Sequence, residues 1–224
     1  FALLFLILAI TAHVPFSPRP ERAFLRLLGR FFRSCEYLMY TMHRNPQRPV
    51  TPLDRWREAF HAREVSTLPR KLGAWAPHID TKALPGTSPQ QVQAVVTSMQ
   101  AITYRMQELL QERGSPQAQY LVQELQEDVR IWRLRVQETF QGLSVDPTAG
   151  ERETFRTKLD GMLDHLEERI KGALDKAPEG QFSDREGENF YRLLGAYRGV
   201  SEAMVNYAGS TDTIDWTQWE EARF

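Results

Sequence analysis

Five dipeptides punctuate the chain, at Ser17-Pro18, Thr51-Pro52, Ser88-Pro89, Ser115-Pro116 and Asp146-Pro147. In each, a side-chain oxygen able to accept an orphan backbone N–H stands before a residue that has no N–H to leave unpaired and whose φ is already helical. Such pairs announce helix starts. Ser66 and Ser183 are expected as further caps, and Gly114, Gly142, Gly180 and Gly209 stand where helices are expected to end. No stretch alternates apolar and polar residues between hairpin turn signals, so the chain is expected to be all-α.

The apolar positions between these punctuation marks recur every three or four residues. Val92, Val95, Met99, Ile102, Met106 and Leu109 form one stripe, and Val122, Leu125, Val129, Trp132 and Val136 form a second. Phe155, Leu159, Met162, Leu166, Ile170 and Leu174 make a third, and Phe190, Leu194, Tyr197, Val200 and Met204 a fourth. Stripes of this period bury against partner helices. Short connections near Gly114-Ser115 and from Gly142 to Asp146 favour antiparallel neighbours, which predicts an up-down helical bundle over 88–208.

The first residues, FALLFLILAITAHVPF, are apolar but shorter than the roughly 20 residues a spanning helix needs. A secretory signal peptide would carry a basic start and a small-residue cleavage site, and a buried core segment is a second reading. The favoured one is the last turns of a transmembrane helix, because Arg19, Arg22, Arg26, Arg30 and Arg33 follow at once, opposed only by Glu21. Positive charge beside a membrane exit marks the cytoplasmic side. From Pro20 to about His43 the pattern is helical: Phe24, Leu27, Leu28, Phe31, Cys35, Leu38 and Met42 share a face, and the arginines gather on the opposite one. Those arginines are expected to meet anionic headgroups of the cytoplasmic leaflet, at about 1 kcal/mol each near the surface. A solvated charged face on a bundle helix is the alternative. The expected organisation is thus the end of a truncated transmembrane helix over 1–16, a basic amphipathic helix with connecting helices over 17–87, and a cytoplasmic bundle with a docked tail over 88–224.

Composition narrows the function classes. A formal charge of −1 and a pI near 6.6 give no global footprint for nucleic acid, so no nucleic-acid partner is expected. The single Cys35 excludes an intrachain disulfide and a multi-cysteine metal site. His13, His43, His61, His78 and His165 lie far apart and form no H-E-x-x-H or E-x-x-H pattern. Asp160, Asp164 and Glu168 align at helical spacing, but with Lys158 and Arg169 nearby they read as a solvated edge. Gly199-Val200-Ser201-Glu202-Ala203 resembles a nucleophile elbow only on paper, since that motif needs a preceding strand. Neither a phosphate-cradling loop nor a catalytic constellation is present, so no cofactor, no metal and no enzymatic activity are expected.

Two stretches near the end carry more information. Gly195, Gly199 and Ala203 repeat every four residues and would let another helix approach closely, either inside the bundle or at a subunit interface. Glycine inside a helix costs about 1 kcal/mol relative to alanine, so a packing reason is expected. Ile214, Trp216, Trp219 and Phe224 make the final segment too apolar to stand in water, and it is expected to dock.

The apolar exit followed by PFSPRPERAFLRLLGRFFRS, then LPRKLGAWAPHI, LPGTSPQQVQAVVTSMQAITYRMQEL, FYRLLGAYRGVSEAMVNYA and IDWTQWEEARF, resembles the cytoplasmic part of bacterial fusaric acid resistance proteins, the aromatic acid exporter family. The resemblance covers most of the chain and rests on helical patterns, not on a catalytic signature. It implies a bacterial inner-membrane transporter of two transmembrane bundles with helical cytoplasmic regions, exporting aromatic or other organic acids on the proton gradient. It further implies that the missing transmembrane bundles hold the substrate-binding residues, and that the cytoplasmic region serves coupling or oligomerisation, with a homo-oligomer expected. A membrane-associated helical scaffold that binds protein partners is the alternative function.

Overall fold

The computed structural model describes residues 19–42, 49–84, 86–112, 115, 119–148, 152–177, 180 and 183–221. Among them the chain is an all-α bundle of eight helices: α1 Pro20–Met42, α2 Pro52–Trp75, α3 Pro89–Glu112, α4 Gln119–Glu124, α5 Gln126–Val145, α6 Arg152–Lys176, α7 Asp184–Thr211 and α8 Trp216–Glu221. A 3₁₀ turn, Ala76–His78, extends α2. None of these helices is long and apolar enough to cross a membrane, and the expected transmembrane end over 1–16 lies outside the described residues.

Two of the dipeptides and one of the further caps act as capping boxes. The Thr51 hydroxyl accepts from the Asp54 N–H at 3.2 Å while the Asp54 carboxylate accepts from the Thr51 N–H at 3.0 Å. Ser88 and Gln91 do the same for α3, and Ser183 and Glu186 for α7. Four expectations differ. Ser66 lies inside α2 and donates back to the Ala62 carbonyl. Gly142 is interior to α5, and its carbonyl accepts from the Asp146 N–H as that helix closes. Asp146 therefore ends α5 instead of starting α6, and its carboxylate accepts from Thr148 in a local turn. Gly209 likewise lies within α7.

One apolar core joins α1, α2, α3, α5, α7 and α8. Phe24, Leu28 and Leu68 belong to it, and so do Met99, Trp132 and Tyr207, so the packing runs across the expected boundary at 87/88 without a break. Phe32 of α1 shows how the layers meet: its ring lies 4.8 Å from Tyr207 of α7, 6.1 Å from Phe140 of α5 and 5.4 Å from Phe31. Each such ring contributes about 1.5–3 kcal/mol by leaving water. Leu121, Leu125, Leu166, Ile170, Ala173 and Phe190 form a smaller second cluster that holds α4 and α6 against α7.

Candidate functional site

From the sequence, the arginines of α1 are expected to lie beside a bilayer, with no partner assigned to its apolar face. That apolar face packs into the bundle. Phe24, Leu28, Phe31, Phe32, Cys35, Leu38 and Met39 are all fully buried within the bundle, so α1 is a central packing helix, and only its arginine side is open to a partner. Arg22, Arg26 and Arg33 are exposed and make no ion pair among the described residues; Arg19 is half-buried.

Arg30 behaves differently. Its guanidinium forms a forked pair with Glu64 of α2, Nε donating to Oε2 at 2.8 Å and Nη2 meeting Oε1. Glu64 is buried, and it also accepts from the Ser34 hydroxyl at 3.3 Å. Ser34 in turn lies 3.0 Å from His61 Nδ1. With Ser34 donating to Glu64, the proton between Ser34 and His61 belongs to Nδ1. Tyr37 stacks on the imidazole at 4.2 Å and Phe60 meets it edge-on at 5.3 Å. Burial lowers the His61 pKa; Glu64 and Glu36 oppose this, and Arg30 and Arg57 reinforce it. Arg30 is thus committed to holding α1 on α2. No spacing in the sequence links positions 30, 34, 61 and 64, because the two helices meet only after folding.

The small-residue repeat does not act as one ridge. Four residues turn a helix by about 40° beyond a full circle, and the three positions diverge accordingly. Gly199 is buried under Arg105 of α3, where an added Cβ would lie 2.8 Å from Cδ. Ala203 is buried, while Gly195 is exposed and would meet nothing within 4 Å. Gly29 meets another helix's backbone: a Cβ there would sit 2.7 Å from the Ser144 carbonyl oxygen of α5. A lone glycine inside an otherwise strong helical pattern was the sequence signal for it.

The final segment is docked through α8. Ile214, Trp216 and Trp219 are buried, Trp219 packs on Phe24 at 5.6 Å, and the Trp216 indole donates to the Thr211 carbonyl at 3.2 Å. Phe224 lies outside the described residues. Ser201 accepts from the Trp132 indole at 2.9 Å and donates to the Tyr197 carbonyl, a packing role deep in the core. The Cys35 thiol is buried and its pKa pushed well up by desolvation, which suits packing and not nucleophilic chemistry.

Two clefts flank α6. One of about 470 Å³ lies toward α7 between Ile170, Leu194 and Tyr191; the other, about 390 Å³, lies toward α5 beside Asp128, Trp132 and His165. Asp128 is occupied by Arg169 at 3.3 Å and faces His165 at 3.6 Å. Among the described residues no group of three metal-ligating side chains converges.

The architecture defines an all-α helical bundle with one exposed basic side on α1. No family model, curated protein or solved structure matches the chain.

Proposed function

We propose that the chain is the cytoplasmic helical domain of a bacterial inner-membrane efflux protein for aromatic or other organic acids. In this reading the domain rests against the membrane surface through Arg22, Arg26 and Arg33, and serves coupling or oligomerisation. The observation that carries it is the exposure of Arg22, Arg26 and Arg33 on one side of α1, without an ion pair among the described residues, in a helix that follows directly on an apolar run. The sequence resemblance to the fusaric acid resistance family supplies the transport context, in which substrate would be bound by the missing transmembrane bundles and not by this domain.

Two measurements test the reading. The coding sequence upstream of Phe1 should encode several further hydrophobic spans; a start codon immediately before it would replace the transporter with a membrane-associated scaffold. In sedimentation with vesicles, the chain should favour anionic over neutral lipid. Replacing Arg22, Arg26 and Arg33 with glutamine removes about 1 kcal/mol per charge, so the anionic preference should fall by about two orders of magnitude. Arg30 is left intact because its loss would strand the buried Glu64.

A further inference from the structure

Helix α2 contributes no buried residue before Glu64. Its first turns are nevertheless a well-formed helix, held by the Thr51–Asp54 capping box, and they carry Leu53, Trp56 and Phe60 at 55%, 63% and 38% exposure. These three recur at i, i+3 and i+7, so they share one face, and the same stripe continues through Arg63, Thr67 and Arg70. On α1 the stripe of Arg22, Arg26, Arg30 and Arg33 continues through Tyr37 and Tyr40 in the same way. The contacts run in opposite senses along the two helices, Arg30 with Glu64 and Tyr37 with His61. The aromatic ends of the two stripes therefore coincide, as do their cationic ends. Trp56 stacks on Phe60 at 5.7 Å, and Tyr40 is 57% exposed. Neither stripe contains an acidic residue, in a chain whose formal charge is −1.

We propose that Leu53, Trp56, Phe60 and Tyr40 form an aromatic ledge that enters the headgroup region of an anionic bilayer while Arg22, Arg26 and Arg33 of α1 and Arg63 and Arg70 of α2 hold the phosphates. Tryptophan and tyrosine favour that interface, with an apolar ring and a polar edge each suited to one side of it. Apolar burial combined with cationic attachment is the general basis of surface binding by helices. The cationic end of the two-helix face, with Arg22, Arg26, Arg33, Arg63 and Arg70 and no acidic residue in either stripe, is complementary in charge to anionic lipid. The proposal rests on the reading that the α1 arginines meet a membrane, and it adds a second helix and an inserted element to it.

The test uses the fluorescence of Trp56. Trp132 and Trp219 are sealed in the core, Trp216 is buried and Trp75 half-buried, so Trp56 is the indole most open to lipid. The 224-residue chain is mixed with vesicles of phosphatidylcholine and phosphatidylglycerol whose acyl chains carry bromine. Bromine should quench the chain's emission, and Trp56→Phe should abolish most of that quenching while vesicle binding persists. Leu53→Ser with Phe60→Ser should weaken partitioning at least tenfold, with an unchanged helical spectrum. If the chain is vesicle-bound and prefers anionic lipid, yet Trp56 stays as open to acrylamide as in free solution, the ledge is overturned and the arginine reading stands; a protein partner would then be the occupant. If binding ignores lipid charge, the arginine reading fails instead. Absence of vesicle binding overturns both.

Discussion

Phe32 of α1 and Ile170 of α6 both sit on buried helical faces, yet their surroundings differ. Phe32 is enclosed by rings from α5, α7 and its own helix. Ile170 is buried in the small cluster with Leu121, Leu125 and Phe190, and it borders an open cleft of about 470 Å³ that lies between α6 and α7. Polar contacts divide the same way in part. In the main core the Trp132 indole finds Ser201 out of solvent, and Glu64 finds Arg30. Around α6 the Arg198–Glu167 pair is exposed, at 56% and 64%, whereas Arg169 meets an Asp128 that is nearly as enclosed as Glu64. Exposed pairs of this kind contribute about 0–1 kcal/mol, so the surface tie of Arg198 to Glu167 adds little to the hold of α7 on α6. An apolar stripe becomes a sealed core only when helices close on every side of it.

The widest expected gap between the regions is in truncation. Phe32→Ala should destabilise the whole bundle by about 3–5 kcal/mol, read as a shifted urea midpoint at unchanged slope. Ile170→Ala should cost about 2 kcal/mol or less, because its cleft side already lacks partners. Amide exchange should then quicken along α6 alone, since weakly packed elements open locally. Equal costs for the two variants, or exchange spreading to α1, would mean that α6 belongs to one cooperative unit with the main core.

A glycine series sharpens the contrast at smaller scale. Gly29→Ala drives a methyl toward the Ser144 carbonyl, and backbone cannot swing aside, so a loss of about 1–3 kcal/mol is expected. At Gly199 the obstacle is the Arg105 side chain, whose guanidinium is held by two weak ties, the part-exposed Glu108 and the exposed Tyr104 ring 5.6 Å away. It can rotate away, and alanine's better helix propensity offsets the shift, leaving a change within about 0.5 kcal/mol. Gly195→Ala meets open space and should stabilise by about 0.5–1 kcal/mol. Loss of self-association in Gly195→Ala, at unchanged or raised stability, would assign that open face to a subunit contact.

What the sequence discloses follows the same division. The stripe from Val92 to Leu109 is buried at every named position, and Thr51, Ser88 and Ser183 cap as their local chemistry dictates. These features are settled within a few residues. The second stripe is only partly a core face: Leu125, Trp132 and Val136 are buried, but Val122 is 42% exposed, where a break between α4 and α5 turns the helix away. Of the candidate site, the arginine side of α1 was legible because four-residue spacing sorts charges onto one face. Its partnership with α2 was not, because Glu64 and His61 reach Arg30 and Ser34 only across the folded interface. The same long-range packing decides that α1's apolar side faces its own bundle.

The smallest expected effect concerns the polar network that closes the main core at α1 and α2. Burial lowers the pKa of His61 below its ordinary value near 6.5, so the unfolded chain takes up the proton at a higher pH than the folded one. Above pH 6.5 the imidazole is neutral in both states and its favourable contribution is fully present. As the pH falls toward and through the lowered folded value, the unfolded form binds more protons and that contribution is lost. Wild-type stability should therefore decline between pH 7.5 and 5.5 more steeply than that of His61→Gln, which retains a donor for Ser34 but does not titrate. The difference should be smaller than the effect of Gly29→Ala, because His61 is only partly enclosed and two carboxylates work against its burial. Parallel pH profiles for the two proteins would show that the edge of the main core is as open to water as the contacts around α6, and the distinction between the two regions would then rest on apolar packing alone.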